Sequence, residues 1–240
     1  MRAELTARRA ALVLGGSGAV GREVVRALAA AGCDVTFTYR RSVDVAQALA
    51  AETGARAVTI DLADGAAIRA LVAGAGAPTV LVHAAVASRL APLADVTDDD
   101  WALAHAVNVR APYVAVQAML PALTATGGDV VLVGALDRAQ SVPAPAHFAA
   151  TQGALPAMAM AMARELGGRG VRGVRVNVVA VGLLDGGLGR ELGASMIADY
   201  RSFSALRRLG TPAEVAAAVA WLALENTYMN GKILPVNGGL

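Results

Sequence analysis

Cysteine and lysine are nearly missing from this chain: there is one of each, Cys33 and Lys232, in 240 residues. A lone cysteine closes no internal disulfide, which suits a reducing, cytoplasmic setting. No stretch of ~18 apolar residues runs free of breaks or charges, so no membrane span is expected. No apolar segment leads from the N-terminus to a cleavage site, so no signal peptide is expected either. A formal net charge of +2 is too small to imply nucleic acid as a partner. No metal site is expected. There is no internal repeat, low-complexity tract or second domain. What the chain has is apolar bulk: 56% of its residues are hydrophobic, well outside the disordered range. One α/β domain over residues 1–240 is long enough to bury a large core.

Strand and helix signals alternate from the start. Ala10–Leu14 reads as a short apolar strand, and Gly15-Gly16-Ser17-Gly18-Ala19-Val20-Gly21 follows it. Helical periodicity then runs from Val20 to Ala31 and stops at Gly32. Strand, glycine loop and helix in this order form the context of a dinucleotide fingerprint. Gly15, Gly18 and Gly21 fit G-x-x-G-x-x-G, and Gly16, Gly18 and Gly21 fit G-x-G-x-x-G. Glycines there allow a tight turn and a close approach of pyrophosphate to the helix N-terminus. Asp34–Tyr39 is a second strand, followed by Arg40-Arg41, and Val43–Glu52 a helix closed by Gly54. Ala57–Ile60 is a third strand, followed by Asp61-Leu62; Asp64 caps a helix over Gly65–Ala73. Thr79–His83 is a fourth strand, and residues 87–97 make a polar crossing. Thr97 to Asp100 then starts a helix running from Asp99 to about Leu123, with Pro112 and Pro121 marking an end or a bend.

The stretch that decides function runs from Val130 to Ala154. Val130–Val133 is an unbroken aliphatic run, as expected of a parallel strand covered on both faces. An irregular crossing follows, and from Ala146 to Gly167 the residues are helix formers, apolar nearly all round. Such a helix needs covering on every side, and Pro156 should bend it. Val174–Val179 is a sixth strand, Leu183–Gly193 a glycine-rich and mobile segment, and Pro212–Glu225 a last long helix with proline at its start. Tyr228–Leu240 makes a final strand and tail.

This layout resembles the short-chain dehydrogenase/reductase family, in particular its 3-oxoacyl-[acyl-carrier-protein] reductases, over essentially the whole chain. Arg175-Val176-Asn177, the turn from Arg207 to Glu214, and Asn237-Gly238-Gly239 carry the likeness beyond the glycine loop. The resemblance implies a Rossmann-type α/β fold: a doubly wound, seven-stranded parallel sheet in the order 3-2-1-4-5-6-7, three layers α/β/α. It implies a cofactor site at Gly15, Ser17, Gly18, Val20 and Gly21, with Asp61 and Leu62 flanking the adenine. Arg40 suits a ribose 2′-phosphate and so NADP(H). In the family a Ser ends the fifth strand and Tyr-x-x-x-Lys follows on the next helix. Here Ala135 stands at the Ser position, and Phe148 and Gln152 stand at the Tyr and Lys positions. Asn108 matches the family's active-site Asn and is the one survivor of that catalytic set. Val86, Val181 and Gly186 replace further family residues, and Leu183–Gly193 corresponds to a substrate lid.

Reducing a ketone takes a hydride and a proton. A Tyr hydroxyl supplies the proton, a Lys one turn on lowers its pKa and holds the ribose, and a Ser orients the carbonyl. A methyl, a bare ring and an amide do none of this, and acid–base help is worth about 10²–10⁴ in rate. The sole lysine lies near the C-terminus, so no relocated Tyr–Lys pair is expected. The leading expectation is a catalytically impaired ketoreductase-like subunit. It would be the non-catalytic partner of an active paralogue in fatty-acid- or polyketide-like acyl-thioester metabolism. Helices 99–123 and 146–167 would form the dimer or tetramer, and an acyl-carrier-protein or CoA thioester would be the ligand. NADP(H) is the possible cofactor, with the Gly15 loop and Arg40 left to hold it and weak or lost binding as the alternative. One alternative is an NADP(H)-dependent oxidoreductase using water or His147 as proton donor, or a lyase or isomerase of altered mechanism; His83 is a further candidate acid or base. Another is an NADP-responsive binding module.

Overall fold

The protein is described by a computed structural model covering residues 8–135 and 144–240. Most of the irregular crossing between the fifth strand and the next helix lies outside the described residues. Seven strands form one sheet: β1 (Ala10–Leu14), β2 (Asp34–Tyr39), β3 (Arg56–Thr59), β4 (Val80–His83), β5 (Gly128–Gly134), β6 (Val174–Val181) and β7 (Ile233–Val236). Every pairing is parallel, in the order β3-β2-β1-β4-β5-β6-β7. The strand order reverses between β1 and β4, which opens a crevice outside their carboxyl ends.

The helices are α1 (Ala19–Ala30), α2 (Val43–Thr53), α3 (Gly65–Ala73), α4 (Asp98–His105), α5 (Ala111–Thr126), α6 (Ala146–Leu166), α7 (Ala194–Phe203) and α8 (Pro212–Leu224). Alternate side chains of each strand point to opposite faces. Leu12, Leu14, Leu81 and Leu132 therefore join Ile68, Met119 and Leu155 from α3, α5 and α6 in one buried layer. Val13, Val80, Val82 and Val131 join Val24, Leu28, Val215 and Val219 from α1 and α8 in the other. Strands covered on both faces read as continuous apolar runs, which is why the sequence announced them. At the amino ends of the strands, away from the crevice, buried Asp129 is held by Arg9 at 2.6 Å and Arg175 at 2.8 Å. Among the described residues no helix is long and apolar enough to cross a membrane.

Two features differ from the sequence reading. The single helix expected from Asp99 to Leu123 is α4, a π turn over Ala106–Arg110, and α5 in unbroken succession. Pro112 has no N–H, and its ring crowds the carbonyl of Asn108 four residues earlier. The ladder widens there instead of ending, with the Ala111 N–H reaching back to the Ala106 carbonyl. Pro121 and Pro156 likewise sit inside continuous helices. The second difference is α7, which follows the glycine-rich segment without a polar cap at Gly193 to announce it. That segment itself forms a 3₁₀ turn over Gly187–Glu191 and a bridge from Leu184 to Gly210.

Candidate functional site

A single cleft of ≈ 660 Å³ runs along the carboxyl ends of the strands. Its first end is built by the loop after β1 and the ends of β2 and β3. Gly15 has φ 84, and a Cβ there would stand 2.6 Å from the Ala85 main chain. A Cβ on Gly16 would meet Phe37 at 2.5 Å, and one on Gly21 would run into the Gly15 carbonyl. The Gly15 N–H donates to Thr38 Oγ1 at 2.8 Å, and the Gly18 N–H donates to the Gly15 carbonyl at 3.1 Å. The loop is thus cinched against β2 and delivered to the head of α1. No side chain caps Gly18, and the first-turn amides of a helix have no partner within it. Ser17, Ala19 and Val20 line the cleft there, a geometry that accepts a pyrophosphate. Arg40 is exposed at the cleft wall and bonds to no described residue, so it is open to a ribose phosphate. Asp61 and Leu62 line the same end, with Asp61 Oδ1 accepting from the Ala63 N–H at 2.9 Å. These residues fit the adenosine and pyrophosphate parts of NADP(H). When bound, that cofactor supplies a hydride.

The second end lies where β5, α6 and β6 meet. Ala135, Phe148 and Gln152 all line it, so the three positions that the resemblance assigns to Ser, Tyr and Lys converge. Gln152 is buried, and its Oε1 accepts from the Ala135 N–H at 3.0 Å. The amide therefore spans two positions that the resemblance assigns to Lys and Ser. Val86, Leu90, Val181, Leu183 and Leu188 complete a largely apolar wall. Asn108 does not line the cleft. It is buried in the π turn, where Oδ1 accepts from the Ala87 N–H at 2.7 Å. Its Nδ2 donates to the Ala87 carbonyl and to Thr151 Oγ1, both at 2.9 Å, and Thr151 donates to the Phe148 carbonyl at 2.8 Å. Asn108 fastens the strap after β4 to α6.

Neither buried histidine reaches the cleft. His147 Nε2 accepts from the Arg89 N–H at 3.4 Å, pointing at the strap after β4. His83 is buried with both ring nitrogens unpartnered, and burial pushes its pKa down to about 4. The sole lysine does stand in a Tyr-x-x-x-Lys spacing, Tyr228 to Lys232. It lies in the irregular connection before β7, Tyr228 is 97% exposed, and neither residue lines the cleft. The sequence reading missed Thr38 and Tyr200. Tyr200 on α7 lines the cleft and donates to the Asn237 carbonyl at 2.9 Å, and burial raises its pKa. No local motif marks it, because its place depends on α7 packing back onto the tail. No group of acids, histidines or cysteines suited to a metal occurs among the described residues.

Comparison with known proteins agrees with this geometry. The family model described as Enoyl-(Acyl carrier protein) reductase matches residues 16–240. The cyclic-di-GMP-binding biofilm dispersal mediator protein of Escherichia coli is 36% identical over 233 residues, 95% of this chain and 94% of that one. The 3-oxoacyl-[acyl-carrier-protein] reductase MabA of Mycobacterium tuberculosis is 32% identical, covering 97% of this chain and 92% of its own. A blue fluorescent protein from a metagenomic library, solved in complex with NADPH, superposes with TM-score 0.88 at 35% identity, over 96% of this chain and 97% of that one. Sheet order, glycine loop and matched length converge on one conclusion: the chain belongs to the short-chain dehydrogenase/reductase family.

Proposed function

We propose that this protein is a catalytically impaired, ketoreductase-like subunit that keeps an NADP(H)-binding cleft. It would serve as the non-catalytic partner of an active paralogue in acyl-thioester metabolism. One observation carries the reading: Ala135, Phe148 and Gln152 share a cleft, in the register of a reductase triad, and none offers a phenol or an ammonium. Two features support pairing through the long helices. Trp101 and Tyr113 on α4 and α5 are 51% and 50% exposed, and Met160 on α6 is 48% exposed. These exposed apolar side chains lie on the helices that such a partner would cover.

The test compares the natural chain with the triple variant A135S/F148Y/Q152K. With NADPH and an acetoacetyl thioester, the natural chain should show no turnover above background. The variant should gain about 10²–10⁴ in rate. Robust reduction by the purified natural chain sinks the proposal. Co-expression with a Tyr-x-x-x-Lys homologue should yield a mixed oligomer on size-exclusion chromatography.

A second reading is a nucleotide-responsive binding module, favoured by the likeness to a relative named for binding cyclic-di-GMP. Calorimetric titration with cyclic-di-GMP tests it, and no heat at millimolar ligand removes it.

A further inference from the structure

Residues 186–209 leave the body of the fold and return to it at a closed neck. There the Asp185 N–H donates to the Gly210 carbonyl at 2.9 Å, and the Gly210 N–H donates to the Leu183 carbonyl at 3.1 Å. The excursion carries the 3₁₀ turn and α7, and its Gly186, Leu188, Leu192 and Tyr200 line the cleft. Little apolar surface anchors it. Between residues 193 and 209 only Tyr200 and Ser204 are buried, whereas Phe203 and Leu206 are 68% and 61% exposed. A helix with so little buried has low local stability. Beyond the neck, three hydrogen bonds tie it to the tail. Tyr200 donates to the Asn237 carbonyl at 2.9 Å, Ser204 Oγ to the Gly238 carbonyl at 3.0 Å, and the Leu206 N–H to that same carbonyl at 3.1 Å. The fit is close: a Cβ on Gly238 would stand 2.6 Å from Ser204 Oγ. Both ends of the excursion have backbone suited to bending. Gly186 and Gly187 have φ 154 and 58, and Arg207 has φ 56, which is strained for a residue with a side chain. A few such positions absorb the change in direction when a lid moves.

We propose that Tyr200 and Ser204 are positioning residues that latch residues 186–209 to the Asn237–Gly238 main chain, and that release of this latch sets how fast the cleft exchanges its ligand. The exchange rate rests on the cleft holding an NADP nucleotide, as proposed above; the latch itself does not.

Stopped-flow NADPH fluorescence on the purified full chain reads both rate constants. Tyr200→Phe keeps the ring and removes one neutral hydrogen bond. It should raise association and dissociation together, each about fivefold, with their ratio held within about twofold. Gly238→Ala pushes the tail off Ser204 and should raise both further. Ser202→Ala is the control, because its hydroxyl bonds only within α7, to the Asp199 carbonyl, and both rates should stay as they are. Hydrogen exchange gives a readout without ligand: the amides of α7 should exchange faster than those of α6 and α8, and faster again in Tyr200→Phe. Rates unchanged in Tyr200→Phe overturn the proposal while the nucleotide reading stands. So does a rise in dissociation alone, which would mean that the phenol touches the ligand, or an equal effect of Ser202→Ala. Absence of NADPH binding to the natural chain ends the nucleotide reading, and α7 exchange unchanged in Tyr200→Phe then overturns the latch. Where a variant does not fold, the natural chain decides: α7 amides as protected as those of α6 overturn the proposal.

Discussion

At the β2–β3 end of the cleft a glycine loop, Arg40 and Asp61 present main-chain amides and charge, whereas at the β5–α6 end Ala135, Phe148 and Gln152 present carbon and one amide. The reasons differ residue by residue. Gly15, Gly16 and Gly21 are required by space: Ala85, Phe37 and the Gly15 carbonyl leave no room for a Cβ. Their retention is a demand of folding as much as of ligand binding. Arg40 is different, because among the described residues it bonds to nothing. It is the residue at which a binding role and a folding role separate. At the other end Gln152 ties β5 to α6, and behind it Asn108, outside the cleft, ties the strap after β4 to α6.

Gly15→Ala should break the first end most severely. It strains a positive φ and drives a methyl into the Ala85 backbone. The expected loss is roughly 2–6 kcal/mol of stability, with loss of NADPH binding. Chemical denaturation and titration check both. His83 lies under the cleft between the two ends and gives a pH signature. Its folded pKa, about 4, is below the ordinary 6.5, so the unfolded chain binds the proton first as pH falls. Its contribution is complete above pH 6.5 and is lost on the way down to pH 4. The size is roughly 3 kcal/mol at the acid end. His83→Asn should flatten the slope of unfolding free energy against pH in that window; an unchanged slope contradicts the burial argument.

Arg40→Ala sharpens the comparison without touching the fold. NADPH affinity should drop about ten- to hundredfold while NADH affinity stays the same. Equal losses for both nucleotides would place the 2′-phosphate elsewhere. The smallest effect belongs to Gln152→Leu, which leaves the Ala135 N–H without its acceptor. It should cost about 1 kcal/mol by thermal unfolding, with the adenosine end of the cleft unaffected.

Much of this was legible in the residues themselves. Val130–Val133 and Ala10–Leu14 announce buried strands because strands covered on both faces need no polar alternation. Asp64 and Thr97 announce helix starts, and both cap by side-chain hydrogen bonds to the first-turn amides. The positions of Ala135, Phe148 and Gln152 followed from the family resemblance and its 13-residue register, and the fold brings the three to one wall. The π turn, α7 and the fate of Asn108 were not legible. A proline four residues after Asn108 predicts a fault in the ladder but not whether the helix stops or widens.

The sequence by itself determined the strands, the glycine loop and the absence of a phenol–ammonium pair on α6, since these depend on residue type and near-neighbour spacing. Only the tertiary structure decided which groups remain free to meet a ligand. Gly15 is bonded to Thr38 at a separation of 23 residues, Ala135 to Gln152 at 17 and Tyr200 to Asn237 at 37. Each of those hydrogen bonds joins a loop, strand end or helix to a distant element, and only packing of the whole sheet brings the partners within reach.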